Sequence, residues 1–217
     1  MSSAFRSLGL GWLILLLVAC GQPEPTVTSV VLPPGWQTVD QAGFSFALPP
    51  EWQVLSADDG NFAGAMDELV RENPGLQAVA NQARTAVTSG QIKLIAFDLA
   101  PEDLLENFTA NLSIGQLALE QPVPLSQIAE ANERELQSNG FTNIQRTSMQ
   151  VGGEDAARLS STLEIKDAAG ETLVLAVEQV ILVRPQQQYV VTFTTTSTQR
   201  TRMRPLFEQI MTTFRVE

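Results

Sequence analysis

The sequence predicts an α+β domain in which an antiparallel β-sheet has helices packed on its faces. From residue 143 to residue 196, apolar and polar residues alternate in runs separated by short turns, which is typical of an antiparallel meander. Residues 61–89 and 200–214 instead place their apolar residues at helical spacing. Because a helix and a sheet each bury one face against the other, we expect one sandwich with a sheet of about six to eight strands.

Residues 1–19 form a predicted signal peptide. Arg6 precedes an uncharged apolar run that is too short for a membrane-spanning helix, which needs about 20 apolar residues. The run ends in Leu17-Val18-Ala19-Cys20, which resembles the lipobox of bacterial lipoproteins. The resemblance implies that the leader is cut before Cys20 and that the Cys20 thiol carries a diacylglyceryl group. We therefore expect palmitate-type acyl chains to anchor the protein in the cell membrane or the outer membrane, facing the extracytoplasmic side.

Residues 20–35 predict an extended, lipidated tether, because four prolines lie among polar residues there. At about 3 Å per residue, the tether would hold the domain roughly 40 Å from the bilayer. Residues 36–217 are enough for one sizeable core, so we expect a single domain.

Strands and helices alternate in the first part of this domain. Residues 44–48 alternate apolar and small side chains as a half-buried strand, which Pro49 and Pro50 end before Trp52 begins the next strand. Residues 61–89 predict a helical hairpin, with Asp59 or Asn61 as its N-cap. We interpret this hairpin as an insertion into the domain.

The middle of the chain predicts two further strands and a helix. Residues 91–99 are apolar on both faces, which indicates a buried strand, and residues 109–117 predict another. A single helical turn is expected at 101–105, where two acidic residues favour a helix N-terminus. Ser126 is the expected cap of a helix that ends at Gly140, with Phe141 folding back.

The C-terminal part predicts the meander and a final helix. Strands are expected at 157–165, 172–183 and 189–196, and a turn at 167–170 joins the first two of them. The last helix must pack on this sheet through its apolar stripe. Pro205 predicts a start or a kink in that helix.

Motifs at both ends of the domain carry a family resemblance. Gly43 is followed by an aromatic-rich strand, two prolines and Trp52, and residues 151–157 read Val-Gly-Gly-Glu-Asp-Ala-Ala before the late Tyr189 strand. The last helix finishes in residues 213–215, Thr-Phe-Arg. These features resemble PsbP-like domains, the fold of the extrinsic photosystem II protein and of many bacterial lipoproteins. The resemblance implies a PsbP-like α/β sandwich across residues 36–215, apart from the helical hairpin.

Composition excludes several kinds of chemistry and one class of partner. The chain has no histidine, and Cys20 is its only cysteine. These two facts exclude Ser-His-Asp and Cys-His catalysis and histidine-containing zinc sites. The net charge of −11, which comes mainly from residues 40–135, argues against nucleic acid as a partner. No motif predicts a cofactor.

Acidic residues are the remaining candidates for catalysis or metal binding. They form three adjacent pairs: Asp58 and Asp59, Glu102 and Asp103, and Glu154 and Asp155. A glycosidase needs two carboxylates across a cleft, whereas each of these pairs lies at a predicted turn. Asp58, Asp59 and Asn61 lack the alternating ligands and the distal Glu of an EF-hand loop. We expect no catalytic residue and assign no metal site, although oxygen ligation by these three residues stays open.

Two surfaces are candidates for partner binding. The hairpin presents Phe62, Met66, Leu69 and Val79, whose apolar side chains either dock on the domain or meet a partner. Arg200, Arg202, Arg204 and Arg215 form a basic cluster near the C-terminus. Because Arg200, Arg204 and Glu208 are one helical turn apart, the cluster predicts a solvated face with internal ion pairs, and docking to an acidic partner or to lipid head groups is the alternative.

These features rank three functions. A membrane-anchored envelope lipoprotein that acts as a non-catalytic binding or adaptor module comes first, with an unknown envelope protein as its possible partner. The family resemblance alone implies an accessory protein of a photosynthetic membrane complex. A carboxylate-dependent enzyme is the last alternative.

Overall fold

A computed structural model describes residues 32–101, 108–166 and 170–217. The predicted signal peptide, Cys20 and nearly all of the tether lie outside these residues. So does most of the helical turn expected at 101–105, which includes Glu102 and Asp103.

The strands of the described residues belong to two sheets. In chain order they are β1 (Gln37–Gln41), β2 (Phe44–Leu48), β3 (Trp52–Ser56), β4 (Leu94–Asp98), β5 (Asn111–Ala118), β6 (Thr142–Val151), β7 (Glu154–Lys166), β8 (Thr172–Arg184), β9 (Gln187–Thr196) and β10 (Arg215–Val216).

The main sheet has the order β3-β4-β5-β9-β8-β7-β6, and the small sheet has the order β1-β2-β10. All pairings in both sheets are antiparallel within the described chain. The meander from β6 to β9 confirms the alternating pattern of the sequence. β5 joins it by pairing with β9, where Leu112 lies opposite Phe193. The two residues of β10 are too few to show a periodic pattern, so the sequence does not predict this strand.

Helices α1 (Phe62–Glu72) and α2 (Gln77–Thr88) form the predicted hairpin, joined by one 3₁₀ turn at Pro74–Leu76. Two longer helices follow, α3 (Leu125–Ser138) and α4 (Arg200–Thr213). In the part of the chain that the structure describes, no helix is long and apolar enough to cross a membrane.

Two details of the helix ends differ from expectation. Pro124 is the N-cap of α3 and no side chain caps it, so Ser126 lies inside the first turn. The fixed φ of proline, here −59°, already suits the entry to a helix. Pro205 lies inside α4, which begins at Arg200, so Pro205 does not start this helix.

One face of the main sheet is covered by α4 and the small sheet. Phe207 of α4 stacks on Phe193 of β9 with 4.9 Å between ring centroids. Phe214, directly after α4, lies 5.9 Å from the ring of Phe44 and 6.1 Å from that of Phe46 in β2. These rings belong to the largest apolar cluster of the described residues, and they fix the small sheet and α4 to each other.

The opposite face is covered at one end by the helical hairpin. Met66 and Leu69 are buried against Leu55, Ile95 and Phe97 of β3 and β4. Phe62 and Val79 are partly buried in the same cluster. The interpretation of these four residues as a partner surface is therefore wrong for Met66 and Leu69, because the apolar side of the hairpin is used to cover the sheet.

Helix α3 covers the other end of the same face. Ile128, Ala129 and Leu136 are buried against Leu159 of β7 and Ile181 of β8. The described domain therefore has a central sheet with α4 and the small sheet on one side, and with the hairpin and α3 on the other. This arrangement confirms the predicted α+β sandwich with helices on the faces of the sheet.

The burial of Met66 predicts that the hairpin is part of the core. We expect Met66→Ala to lower the free energy of unfolding by about 2–5 kcal/mol, because it leaves a cavity between α1 and the sheet. Gln82→Ala, on the exposed side of α2, is the matched control and should change stability by less than about 0.5 kcal/mol. Urea unfolding measures both, and equal small effects would show that the hairpin does not pack on the sheet.

Candidate functional site

A cleft of about 450 Å³ lies between α3 and the segment that follows α2. Its floor is formed by β5, β9 and β8, which are interior strands of the main sheet. The volume falls within the roughly 300–1,000 Å³ that is usual for small-molecule sites. The cleft lies where neither the hairpin nor α3 covers the sheet.

The register of the main sheet explains why the floor is polar. One row of laterally paired residues crosses this face, consisting of Ile95, Ser113, Thr192, Gln179 and Leu159. Its apolar ends are Ile95 under the hairpin and Leu159 under α3. The three residues between them line the cleft. The polar side chains of the row therefore coincide with the gap between the helices.

The end of α3 forms one wall of the cleft. Gly140 adopts a left-handed conformation with φ of +83°, which only glycine reaches without strain. The amide of Phe141 then donates to the carbonyl of Leu136 at 3.0 Å, and that of Gly140 donates to Gln137 at 3.2 Å. This Schellman motif confirms the predicted helix end, and it turns Phe141 back onto the sheet to line the cleft beside Leu136.

The end of α2 forms the opposite wall in the same way. Gly90 has φ of +73°, and the amide of Gln91 donates to the carbonyl of Ala86 at 2.9 Å. Gln91 then crosses β5 so closely that a Cβ on Gly115 would lie 2.8 Å from the Gln91 carbonyl oxygen. Glycine at position 115 therefore allows Gln91 and Ile92 to form this wall.

Two glutamines at the floor have hydrogen-bonding groups without partners. Gln188 is only 7% exposed, and within the described residues its carboxamide makes no hydrogen bond. The Oε1 atom of Gln179 is buried and also lacks a partner, while its Nε2 atom lies 3.4 Å from the Thr192 hydroxyl. An unsatisfied buried polar group costs about 1–3 kcal/mol, so packing alone does not account for the Oε1 atom of Gln179, whereas the Gln188 carboxamide is not fully enclosed.

The cleft carries little charge, and what it carries is negative. Glu135 is the one ionisable side chain among the lining residues, all of which belong to the described chain. The C-terminal ends of α2 and α3 add partial negative charge at both walls. The cleft therefore disfavours anionic ligands.

The acidic pairs of the sequence lie elsewhere. Asp58 and Asp59 are exposed in the turn after β3. Glu154 pairs with Arg184 at 3.1 Å, and Asp155 accepts a hydrogen bond from Gln150. Across 32–101, 108–166 and 170–217, no three His, Cys, Asp or Glu residues come together in a way that could hold a metal ion.

The basic cluster takes part in an ion-pair network on the α4 face. Glu178 of β8 is buried, and both Arg158 of β7 and Arg200 of α4 contact its carboxylate, the latter at 3.5 Å. Glu208 accepts from Arg204 at 3.0 Å and from Arg158 at 3.2 Å. The predicted internal pairing of this helix is thus present, and it extends to the sheet.

Sequence reasoning missed both Glu178 and the cleft. A single acid inside the apolar run of β8, beside Arg158 on the adjacent strand, was the available signal for the buried pair. For the cleft, the signal was the presence of Gln179 and Gln188 in strands whose other residues predict burial. Neither signal identifies which part of the sheet each helix covers, because that depends on long-range packing.

Comparison with solved structures identifies the class of fold. The architecture is an antiparallel α+β sandwich, and it is PsbP-like. The solution structure of cyanobacterial PsbP (CyanoP) from Synechocystis sp. PCC 6803 matches 93% of this chain and 99% of its own, with a TM-score of 0.52 and 12% identity. LpqN of Mycobacterium tuberculosis, involved in cell envelope biogenesis, matches 83% of this chain and 90% of its own at 12% identity, with a TM-score of 0.49.

The similarity to CyanoP establishes the fold and nothing about activity, because the identity is low. No protein-family model matches the sequence, and no curated protein matches it either.

The network on α4 predicts a pH-dependent contribution to stability. Hydrogen bonds from Arg204 and then Arg158 lower the pKa of Glu208 below its ordinary value of 4.5. Because the folded pKa is the lower one, the stabilisation is present above the unfolded pKa and is lost as the pH falls through the folded pKa. We expect Glu208→Gln to destabilise the protein at neutral pH by less than about 1 kcal/mol, since the side chain is half exposed.

Urea unfolding at neutral pH and at about pH 3 measures this difference. The difference in free energy of unfolding between wild type and Glu208→Gln should be smaller at the lower pH. Glu120→Gln is the control, because it removes an exposed carboxylate that has no ion pair within the described chain. A difference in free energy of unfolding that grows as the pH falls would contradict the lowered pKa of Glu208.

Proposed function

We propose that this protein is a membrane-anchored envelope lipoprotein whose PsbP-like domain acts as a non-catalytic binding module. The observation that carries the binding role is the cleft between α3 and the end of α2. Its floor holds the Gln188 carboxamide and the buried Oε1 atom of Gln179, which have no hydrogen-bond partner within the described residues and are available to a ligand.

The composition of the cleft favours binding over catalysis. Glu135 is the single ionisable residue of its described lining. Hydrolysis by carboxylates uses two carboxyl groups that face each other about 5–10 Å apart. Carboxamides and hydroxyls, which supply most of the polar groups here, recognise a ligand without transferring protons at neutral pH.

The anchoring role is supported by the leader. The sequence Leu17-Val18-Ala19-Cys20 resembles a lipobox, and the proline-containing residues 20–35 suit an extended tether. Two or three acyl chains on Cys20 would hold the module on the membrane essentially permanently. The tether would then keep the cleft in the aqueous envelope, within reach of other envelope components.

Metabolic labelling tests the anchor. We expect radiolabelled palmitate to enter the wild-type chain and not Cys20→Ser, because Cys20 is the only thiol that can be acylated. In cell fractionation, the wild-type chain should sediment with membranes and Cys20→Ser should not.

Thr26→Ala, a change of similar size in the tether, is the matched control and should label as the wild type does. Equal labelling of wild type and Cys20→Ser would contradict the lipoprotein assignment. That result would leave the binding role of the cleft intact, since the two roles depend on different residues.

A further inference from the structure

We infer that the cleft between α3 and the end of α2 binds an uncharged, hydroxyl-rich ligand, a saccharide or the saccharide part of a larger molecule. The inference rests on the proposed binding function and specifies the ligand class of the same site.

The polar groups of the cleft match the chemistry of sugar hydroxyls. Within the described residues, its lining includes five carboxamide side chains and two hydroxyl side chains, those of Gln91, Asn132, Asn139, Gln179, Gln188, Ser113 and Thr192. Each carboxamide offers a donor and an acceptor at neighbouring atoms, and each hydroxyl offers both at one atom. Vicinal sugar hydroxyls present the same pairs of donors and acceptors, so the two sets are complementary.

Among these polar side chains, those at the floor of the cleft have hydrogen-bonding atoms without partners. The Nδ2 atom of Asn132 already donates to the carbonyl of Ile128 at 2.9 Å, so its capacity is partly used by α3 itself. Gln188 is more than nine-tenths buried, and its carboxamide has no partner within the described chain. A ligand hydroxyl placed over β9 would pair with the Gln188 carboxamide without displacing a hydrogen bond of the described chain.

Charged ligands fit the cleft poorly. No arginine or lysine is present among the described lining residues, and the helix C-termini at both walls repel anions. Glu135 is exposed, and one exposed carboxylate gives a cation little binding energy. A neutral ligand is favoured for both reasons.

Acyl chains and extended peptides fit poorly as well. An acyl chain would exclude water from Gln188 and leave its carboxamide unpaired, which is unfavourable. A peptide strand cannot add to the sheet here, because β5, β9 and β8 are interior strands whose backbone groups already pair with neighbours.

Apolar surface for the C–H faces of a sugar ring is available at the cleft. Phe141 is partly exposed on the α3 wall. Leu117, at the end of β5, is 45% exposed and also lines the cleft. The cleft therefore offers apolar surface beside its hydrogen-bonding groups, and both kinds of surface contribute to small-molecule sites.

Calorimetric titration of the full-length acylated protein, in a detergent without a sugar head group, tests the inference. The probes are maltotriose and chitotriose, two uncharged trisaccharides. We expect at least one of them to bind, and we expect Gln188→Leu to weaken that binding about tenfold by removing hydrogen bonds. Urea unfolding should show Gln188→Leu to be about as stable as wild type, because the Gln188 carboxamide makes no hydrogen bond within the described residues that the change would remove.

Gln209→Leu is the matched control, since Gln209 is exposed on α4 at the other face of the sheet and lies outside the cleft. It should leave saccharide binding unchanged. A purely structural role for Gln188 would instead make Gln188→Leu clearly less stable.

The inference is overturned if neither trisaccharide binds at concentrations up to about 10 mM, or if Gln188→Leu binds as tightly as wild type. Titrations with putrescine and with trialanine amide serve as the alternative probes. If one of these binds and Gln188→Leu abolishes it, the saccharide assignment is wrong while the binding-module proposal stands.

Discussion

Coverage of the main sheet on both faces is the constraint on which the rest of the structure depends. All five residues of β4 are buried, and β8 and β9 have buried residues on both faces. Such strands need a helical or sheet layer on each face. The small sheet and α4 provide one layer, and the hairpin with α3 provides the other. Residues 61–89 are therefore part of the core, although their sequence carries none of the motifs that resemble PsbP-like domains.

Two adjacent residues of β8, Glu178 and Gln179, show how the two faces of the main sheet differ in the way that buried polar groups are paired. Glu178 faces α4 and is buried, and arginines from a strand and a helix satisfy its carboxylate. Gln179 faces the other way, where the hairpin and α3 do not meet, and its Oε1 atom has no partner. Removing these arginines would leave the buried Glu178 charge uncompensated. The unpaired Oε1 atom instead lies in the gap of the opposite layer, where the proposed ligand would satisfy it.

Local patterns predicted much of this fold, because the features concerned depend on neighbours in sequence. The stripes of the hairpin and of α4 follow from helical spacing, and the end of α3 follows from Gly140 and Phe141. The pairing of β5 with β9 joins residues far apart in the chain, and no local pattern encodes it. The candidate site was missed for the same reason, since its polar floor and its two walls come from separate elements. The burial of Met66 and Leu69 likewise depends on β3 and β4, which the helical pattern alone does not identify.

A crystal structure of the protein in complex with chitotriose tests most directly whether the gap between α3 and the end of α2 is a saccharide site. We expect the trisaccharide to lie over β9 with a hydroxyl or acetamide group within hydrogen-bond distance of the Gln188 carboxamide, and with one ring against Phe141. A trisaccharide bound elsewhere, above a cleft whose Gln188 carboxamide stays unpaired, would contradict this assignment.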